Sequence, residues 1–561
     1  MAIKKLTNII PGAIALLFGI LAFFFAWKSH PELLSFHEQN QMFLFSSDYF
    51  TDTISVAGGL ANYVSEFLVQ FYFYISAGAA IVAIVLVLLQ ILSYKALKTV
   101  NEAWHITPYI MSWLVTILMG AHMMDENTLL SFPIAIIFSL LTYLACRRGG
   151  WICQLIASLP LYWLVGPAFI IQVSLAIADS WRGKSWKAAI LPSCALILVA
   201  AGWFYACRML WIAQYPWDTV LAGINYHRLT IMSMEAPALQ NAILGAMVSF
   251  ALILPLLHVV EQISPKLKSL DVTTATVFAC IYGGLFIAPN ISNNHHDKNT
   301  HVILEQLYQM RKGDWNGIIV KAEEYKKEKL PALESPLSAN AVNLSLAMRG
   351  QLATRMFEFP QTGIQGLIMP RVRDNVSNVT SMEVFWQLGF INESLRYAFD
   401  SQESIPNCRK SGRFTQRMAE CNILNGRYDV ASKYIDLLKQ TLFYDQWAEQ
   451  AETYLYNEDK IKGFPQWNKK LQNRLTNDFL YYYPEMPKML GQLALRNRDN
   501  LLAYNYFMAS LLLTGDTRSF VFNLPSHPLE GQDPFPHGYK EYVEYMKAHS
   551  NPADAVTGAS Y

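Results

Sequence analysis

Three groups of side chains have types and spacings suited to chemistry on a hydroxylated or phosphorylated substrate. Glu38 stands in a His-Glu-Gln-Asn-Gln stretch with Asp48 ten residues on, and Asp125 and Glu126 are adjacent in the short segment His-Met-Met-Asp-Glu-Asn. Arg208, His227 and Arg228 lie in one aromatic stretch, residues 208–236, with Trp211, Tyr215, Trp217 and Tyr226. A carboxylate can take the proton from an attacking hydroxyl as general base. A guanidinium matches phosphate oxygens in a planar fork of N–H donors. Glu38, Asp125 and Glu126 are therefore candidate catalytic acids and bases, and Asp48, Arg208, His227 and Arg228 candidate substrate-binding groups. The plainer reading is that wet loops are acidic and that Trp and Tyr anchor a membrane interface.

These groups all fall between long apolar segments. The chain has 561 residues, 53% of them apolar and 13% aromatic, and the apolar ones are concentrated in the first half. Segments of spanning length fit at about 9–27, 67–94, 106–124, 128–146, 151–165, 167–179, 188–207, 237–260 and 271–289, nine in all. Residues 151–179 break near Gly166-Pro167 and count as two short spans, because a single span would export the basic loop that follows. Eleven basic residues occupy alternate gaps: Lys4, Lys5, Lys95, Lys98, Arg147, Arg148, Arg182, Lys184, Lys187, Lys266 and Lys268. The other gaps hold Lys28, Arg208 and Arg228. Positive charge marks the cytoplasmic side, so the N-terminus is expected inside and the candidate residues, with everything after about residue 291, outside. The first segment follows two lysines like a signal peptide but is long enough to span and lacks a small-residue cleavage site, and reads as an uncleaved helix.

The first outer loop, 28–66, carries Glu32, Glu38, Asp48, Asp52 and Glu66 against one lysine. Ile54, Leu60, Val64 and Phe67 mark one face of a helix lying along the interface, interrupted at Gly58-Gly59. The near-neutral net charge of +1, without a basic stripe, excludes nucleic acid as a partner. Five cysteines sit in or beside apolar segments at unrelated spacings, so no cysteine zinc site is expected. Cys408 and Cys421 can pair in an oxidising compartment if their Cα atoms come within about 7 Å. The His295-His296-Asp297 run, with only His301 near it in sequence, reads as a solvated hinge rather than a metal site. No cofactor is firmly implied, and a divalent metal is left open.

This layout resembles the C-type (GT-C) glycosyltransferase fold of multi-pass membrane enzymes: an inside N-terminus, a long first outer loop with an acidic residue and interfacial helices, and an acidic position after the third span. The resemblance implies Glu38 as catalytic base, Asp125 or Glu126 as second acid, and Arg228 or His227 holding the phosphate of a polyprenyl-phosphate sugar. The first loop departs from that pattern in having no Asp-Asp, Asp-Glu or Asp-x-Asp. The whole chain also resembles an uncharacterised group of bacterial membrane proteins, a domain of unknown function, that joins such a membrane half to a helical tail, which implies the bacterial inner membrane and a periplasmic C-terminal part.

That tail, residues 291–525, reads as helical repeats. Turns at Gly313-Asp314-Trp315, Gly350-Gln351-Leu352, Gly389-Phe390-Ile391 and Gly426-Arg427-Tyr428 recur at intervals of 37, 39 and 37 residues, the period of stacked helix pairs. Asn425-Gly426-Arg427-Tyr428-x-x-Ala431-x-x-Tyr434 resembles the tetratricopeptide pattern. Residues 526–561, rich in Pro, Gly and His, read as an irregular tail. The expected architecture is an all-α polytopic bundle over residues 1–290 followed by a tetratricopeptide-like solenoid. Two functions fit it. One is a membrane glycosyltransferase using a lipid-phosphate-linked sugar at the periplasmic face. The other is a non-catalytic envelope scaffold binding a protein or peptide through the repeats. A transporter fits less well, since no Asp, Glu, Lys or Arg lies mid-span to serve an ion relay.

Overall fold

The computed structural model describes residues 2–524 except 101, 103, 183–185, 229–237, 264–269, 283–297, 373, 375, 406–408 and 476–480. The chain divides into two compact units, Met1–His296 and Asp297–Tyr561. Among the described residues both units are built of helices, with isolated β-bridges as the sole extended pairing.

In the first unit a helix lies within each of the nine apolar segments: α1 (Ala2–Phe24), α5 (Ile75–Val100), α6 (Ile106–His122), α7 (Ser131–Cys146), α8 (Gly150–Val165), α9 (Phe169–Trp181), α10 (Trp186–Leu210), α11 (Ala238–Ile263) and α12 (Leu270–Tyr282, the rest of that segment lying outside the described residues). Among the described residues five helical stretches, beginning at Pro11, Ile75, Ser131, Lys187 and Ala238, are long and apolar enough to cross a membrane. The second apolar segment does not start at 67: the backbone leaves the helix at Tyr74, which is extended (φ −101°, ψ 106°), and α5 starts only at Ile75. Tyr72 is folded back there against Gly78, where an added Cβ would lie 2.8 Å from its ring.

The first loop folds as three further helices, α2 (Pro31–Gln39), α3 (Ser47–Ile54) and α4 (Gly59–Val69). Gly58, at φ +87°, separates α3 from α4, a conformation glycine adopts without Cβ strain. Phe43 meets Phe45, Tyr49, Tyr63 and Phe67 edge-on with centroids 5.0–5.5 Å apart. The buried Glu66 carboxylate accepts from Asn62 (3.1 Å) and from the Tyr49 hydroxyl. One of the loop's expected solvent-facing acids is thus internal glue.

The break between α8 and α9 falls at Gly166, φ +74°. The Tyr226 hydroxyl donates to the Val165 carbonyl and accepts from the Ala168 N–H (3.1 Å). The first loop docks on the same turn through Gly58 N–H to Trp163 O and Trp163 Nε1–H to Ile54 O, each 2.9 Å. Buried backbone polar groups at such a break need partners, and Tyr226 supplies them. Gly223, at φ +95°, makes room for that ring: a Cβ there would lie 2.3 Å from Tyr226 Cδ2. Gly223→Ala is expected to lower stability by at least about 2 kcal/mol, from left-handed strain of about 1–2 kcal/mol plus the displaced tyrosine. Gly245→Ala, with nothing within 4 Å of the added Cβ, serves as control. Thermal unfolding of the detergent-solubilised protein measures both, and equal midpoints would remove the clamp from Tyr226.

At the other end of these helices the basic residues gather. Arg182 and Arg147 meet Glu102 at 2.7 and 3.5 Å, and Arg147 meets Asp179 at 3.6 Å. Both guanidinium groups also donate to the Thr99 carbonyl, Arg182 at 3.0 Å and Arg147 at 3.3 Å. Asp271 accepts from the N–H groups of His105, Ile106 and Thr107 at 2.8–3.1 Å, satisfying the start of α6. Between the two ends Gln172 donates to the Gln154 side chain (2.5 Å) and Gln90 to Ser112 (3.1 Å), polar ties of the kind that hold helices in an apolar surround.

In the second unit Gly313, Gly350, Gly389 and Gly426 all have positive φ, between +69° and +106°. Helices follow each: Trp315–Glu328, Leu352–Arg355, Ile391–Glu403 and Tyr428–Leu438. Ser377–Leu388 packs on Ile391–Glu403, which packs on Gly412–Leu424. The period is interrupted between 359 and 376, where the described residues are not helical and Pro360, Gly363, Gly366 and Pro370 disfavour helix. Trp386 is buried, with the Arg417 guanidinium stacked 3.9 Å from its ring centroid and bound to Glu383 at 2.9 Å.

Candidate functional site

The chain after α6 turns sharply, because Asp125 N–H bonds to His122 O and Thr128 N–H to Asp125 O. The Asp125 carboxylate caps Asn127 N–H (2.8 Å), and the Glu126 carboxylate accepts from Asn127 Nδ2 (3.0 Å). The stretch ending at Arg228 lies antiparallel to this turn: Leu129 N–H to Tyr226 O is 3.0 Å, Arg228 N–H to Asn127 O is 2.8 Å, and Thr128 bridges His227. This short ladder brings Arg228, buried, onto the acid pair, which lies about a hundred residues away in sequence. Its Nη1 donates to the Glu126 carbonyl and its Nη2 lies 3.2 Å from His37 Nδ1 on α2. Its guanidinium carbon also sits 5.3 Å from the Phe36 ring centroid, within cation–π range.

A guanidinium has no acceptor, so His37 Nδ1 must offer its lone pair and the ring is neutral. Burial, and then the charge of Arg228, hold the His37 pKa well below the usual imidazole value. Burial likewise pushes Arg228 down to about 10, opposed by the charges of Glu126 and Asp125. Glu126 is raised above the ordinary carboxylate value, first by burial and then by Asp125 beside it. His227 is lowered, again chiefly by burial.

Against this cluster lies a cavity of about 490 Å³, within the size range of small-ligand sites. Its wall is apolar: Phe18, Leu21 and Ala22 from α1, Phe25 and Ala26 just after it, Leu33 and Leu34 from α2, Val82 and Leu86 from α5, with Val69, Tyr72 and Leu130. His30, His37, Met123, Met124, Gly120 and Thr128 complete it. His37 therefore belongs to both the cavity and the Arg228 cluster, and Met124 and Thr128 flank the acid pair. Leu17 and Leu21 of α1 are exposed on the helix that forms one side of this cavity.

The structure brings Asp125, Glu126, His227 and Arg228 together. Glu38 is buried on α2, one residue past the Arg228-bound His37. Asp48 stands apart, exposed in the first turn of α3. Arg208, at the end of α10, stacks over Trp217 at 5.1 Å rather than reaching the acids. Cys421 is a buried free thiol pushed up to about 12 by burial, while Cys408 lies outside the described residues. So does the His295-His296-Asp297 run. Sequence reading passed over His37 and Thr128; their signal was adjacency, His37 to Glu38 and Thr128 to the Asp-Glu pair.

A model of a protein family of unknown function matches residues 5–559. No curated protein and no solved structure matches the chain.

Proposed function

The chain belongs to that family, DUF6057, whose description carries no activity, and we propose that its first unit is a GT-C-type membrane glycosyltransferase acting on a lipid-phosphate-linked sugar. The cavity supports this reading more than any other observation: an apolar volume of about 490 Å³ that ends at His37, itself held by Arg228. A lipid chain fills the cavity and its phosphate lies toward Arg228 and His227. Glu126, with its raised pKa, takes the proton of the acceptor hydroxyl as the hydroxyl oxygen bonds to the sugar carbon and the sugar–phosphate bond breaks, the lipid phosphate leaving. Asp125 and Glu38 are the neighbouring acids. By the charge alternation this site faces the periplasm of the bacterial inner membrane, as does the second unit.

The test uses Gly120, which lines the cavity and where an added Cβ meets only Leu86 Cδ1, at 4.0 Å. Gly120→Leu is expected to fill the cavity, retain the fold because leucine favours helix over glycine, and cut the polyprenyl phosphate that co-purifies at least about tenfold, on the general cost of losing a buried chain's apolar contacts. Mass spectrometry of lipids extracted from equal amounts of both proteins measures this. Equal lipid content in a normally folded variant would overturn the lipid reading.

The repeated Gly turns of the second unit favour a second reading, a non-catalytic scaffold whose stacked, tetratricopeptide-like helices bind a protein or peptide. Cross-linking of the full chain in cells separates the two, since the scaffold predicts a stable partner and an unchanged envelope glycan in site variants.

A further inference from the structure

Among the described residues, His30, His37, Tyr72 and Thr128 bring the only nitrogen- or oxygen-bearing side chains to the cavity wall. His30, Leu33, Leu34 and His37 follow the i, i+3, i+4, i+7 spacing of one helix face, so α2 turns a single stripe to the cavity. His30 Nδ1 lies 3.1 Å from the Glu32 carboxylate, and Thr128 Oγ1 lies 3.4 Å from both ring nitrogens of His122. His37 differs from these in being tied to a cation. Arg228 is not part of the cavity wall and meets it through the His37 ring, its Nη2 3.2 Å from Nδ1. A guanidinium has only protons to give, so the neutral ring carries its own proton on Nε2. That N–H has no partner among the described residues, on a side chain that is buried. Donation into Nδ1 also polarises the ring and strengthens Nε2–H as a donor, as in any chain of hydrogen bonds.

We propose, resting on the lipid-phosphate reading above, that His37 selects the headgroup: its Nε2–H donates to a phosphate oxygen of the ligand. The cavity then takes an amphiphile headed by a phosphate ester over one of equal chain headed by an ammonium. A phosphate ester brings acceptor oxygens and negative charge, and a hydrogen bond to a charged acceptor is roughly twice as strong as one between neutral groups. An ammonium brings donors alone. It leaves Nε2–H uncovered, which is costly for a buried donor, and sets a second cation near Arg228. His37 acts in binding and takes no proton in the transfer.

Full-length protein in detergent is titrated with farnesyl phosphate and with farnesylamine, binding is read by native mass spectrometry, and thermal midpoints report folding. Wild-type protein is expected to prefer the phosphate by at least about tenfold, the scale of one hydrogen bond to a charged group. His37→Asn keeps an acceptor for Arg228, since Oδ1 stands where Nδ1 did, and has no group at the Nε2 position. It is expected to unfold near the wild-type midpoint and to lose about tenfold of that preference. His37→Gln, whose amide N–H reaches the Nε2 position, is expected to restore it. Where His37→Asn does not fold, His37→Met, also without an N–H, carries the same expectation. A folded Asn or Met variant that keeps the full preference overturns the inference and leaves the lipid-phosphate reading standing, as does a folded Gln variant that loses it. Wild-type protein that binds farnesyl phosphate no more tightly than farnesylamine overturns both.

Discussion

If the first unit is the glycosyltransferase proposed above, Glu126→Gln is expected to lower sugar transfer by about 10²–10⁴-fold, the usual contribution of one positioned general base, while the protein still folds and inserts. Glutamine keeps the size of the side chain and can still accept from Asn127, as the carboxylate does at 3.0 Å. What it removes is the proton acceptor. Because burial and Asp125 raise the pKa of Glu126, the wild-type rate climbs with pH through a limb above the ordinary glutamate range, and the variant lacks that limb. Stability carries the opposite sign. An acid whose folded pKa is raised contributes stability below its unfolded value and loses it as pH rises through the folded one. The wild type therefore weakens over that window and Glu126→Gln does not. Glu38→Gln, measured beside it, assigns the base. If Glu38→Gln alone abolishes transfer, the base moves to α2. If neither variant changes transfer or its pH profile, the catalytic reading fails and the scaffold stands.

The helices were legible in the sequence because their signal is local. Apolar runs of spanning length and the alternation of basic gaps marked nine segments, and a helix lies within the described part of each, and Gly166-Pro167 marked the break. The turn glycines of the second unit were equally local, since a left-handed residue selects glycine. The cluster was only half legible. Asp125 with Glu126 and His227 with Arg228 could be named as polar residues in neighbouring loops, but the ladder joining them is a pairing across about a hundred residues. No local periodicity reports such a pairing. Nor could the sequence tell Glu66, which binds Tyr49 and Asn62, from a solvated acid, or Arg208, stacked on Trp217, from Arg228, buried against the acids. Burial separates these pairs, and burial follows from tertiary contacts. His37 was missed because a histidine on a short polar helix has no signal of its own until Arg228 is placed against it.

Arg228→Met is expected to cost about 3–5 kcal/mol, the range for removing one partner of a buried ionic arrangement. The methionine fills much of the arginine's volume against Phe36, so the loss is electrostatic and polar rather than a cavity. Two donations disappear, to His37 Nδ1 and to the Glu126 carbonyl, and the acid pair loses its facing cation. The thermal midpoint in detergent at neutral pH falls accordingly, and Arg228→Lys falls between, because an ammonium keeps the charge but not the planar fork that reaches both partners. His37, whose pKa Arg228 holds down in addition to burial, protonates at a higher pH in Arg228→Met than in the wild type. The decisive measurement is a double-mutant cycle with Glu126→Gln. If the guanidinium acts mainly by balancing the carboxylates, the double variant is less destabilised than the sum of the singles, since glutamine removes one of the charges left bare. Strict additivity would instead reduce Arg228 to a tether of the loop through its hydrogen bonds, and would leave no electrostatic seat for a phosphate there.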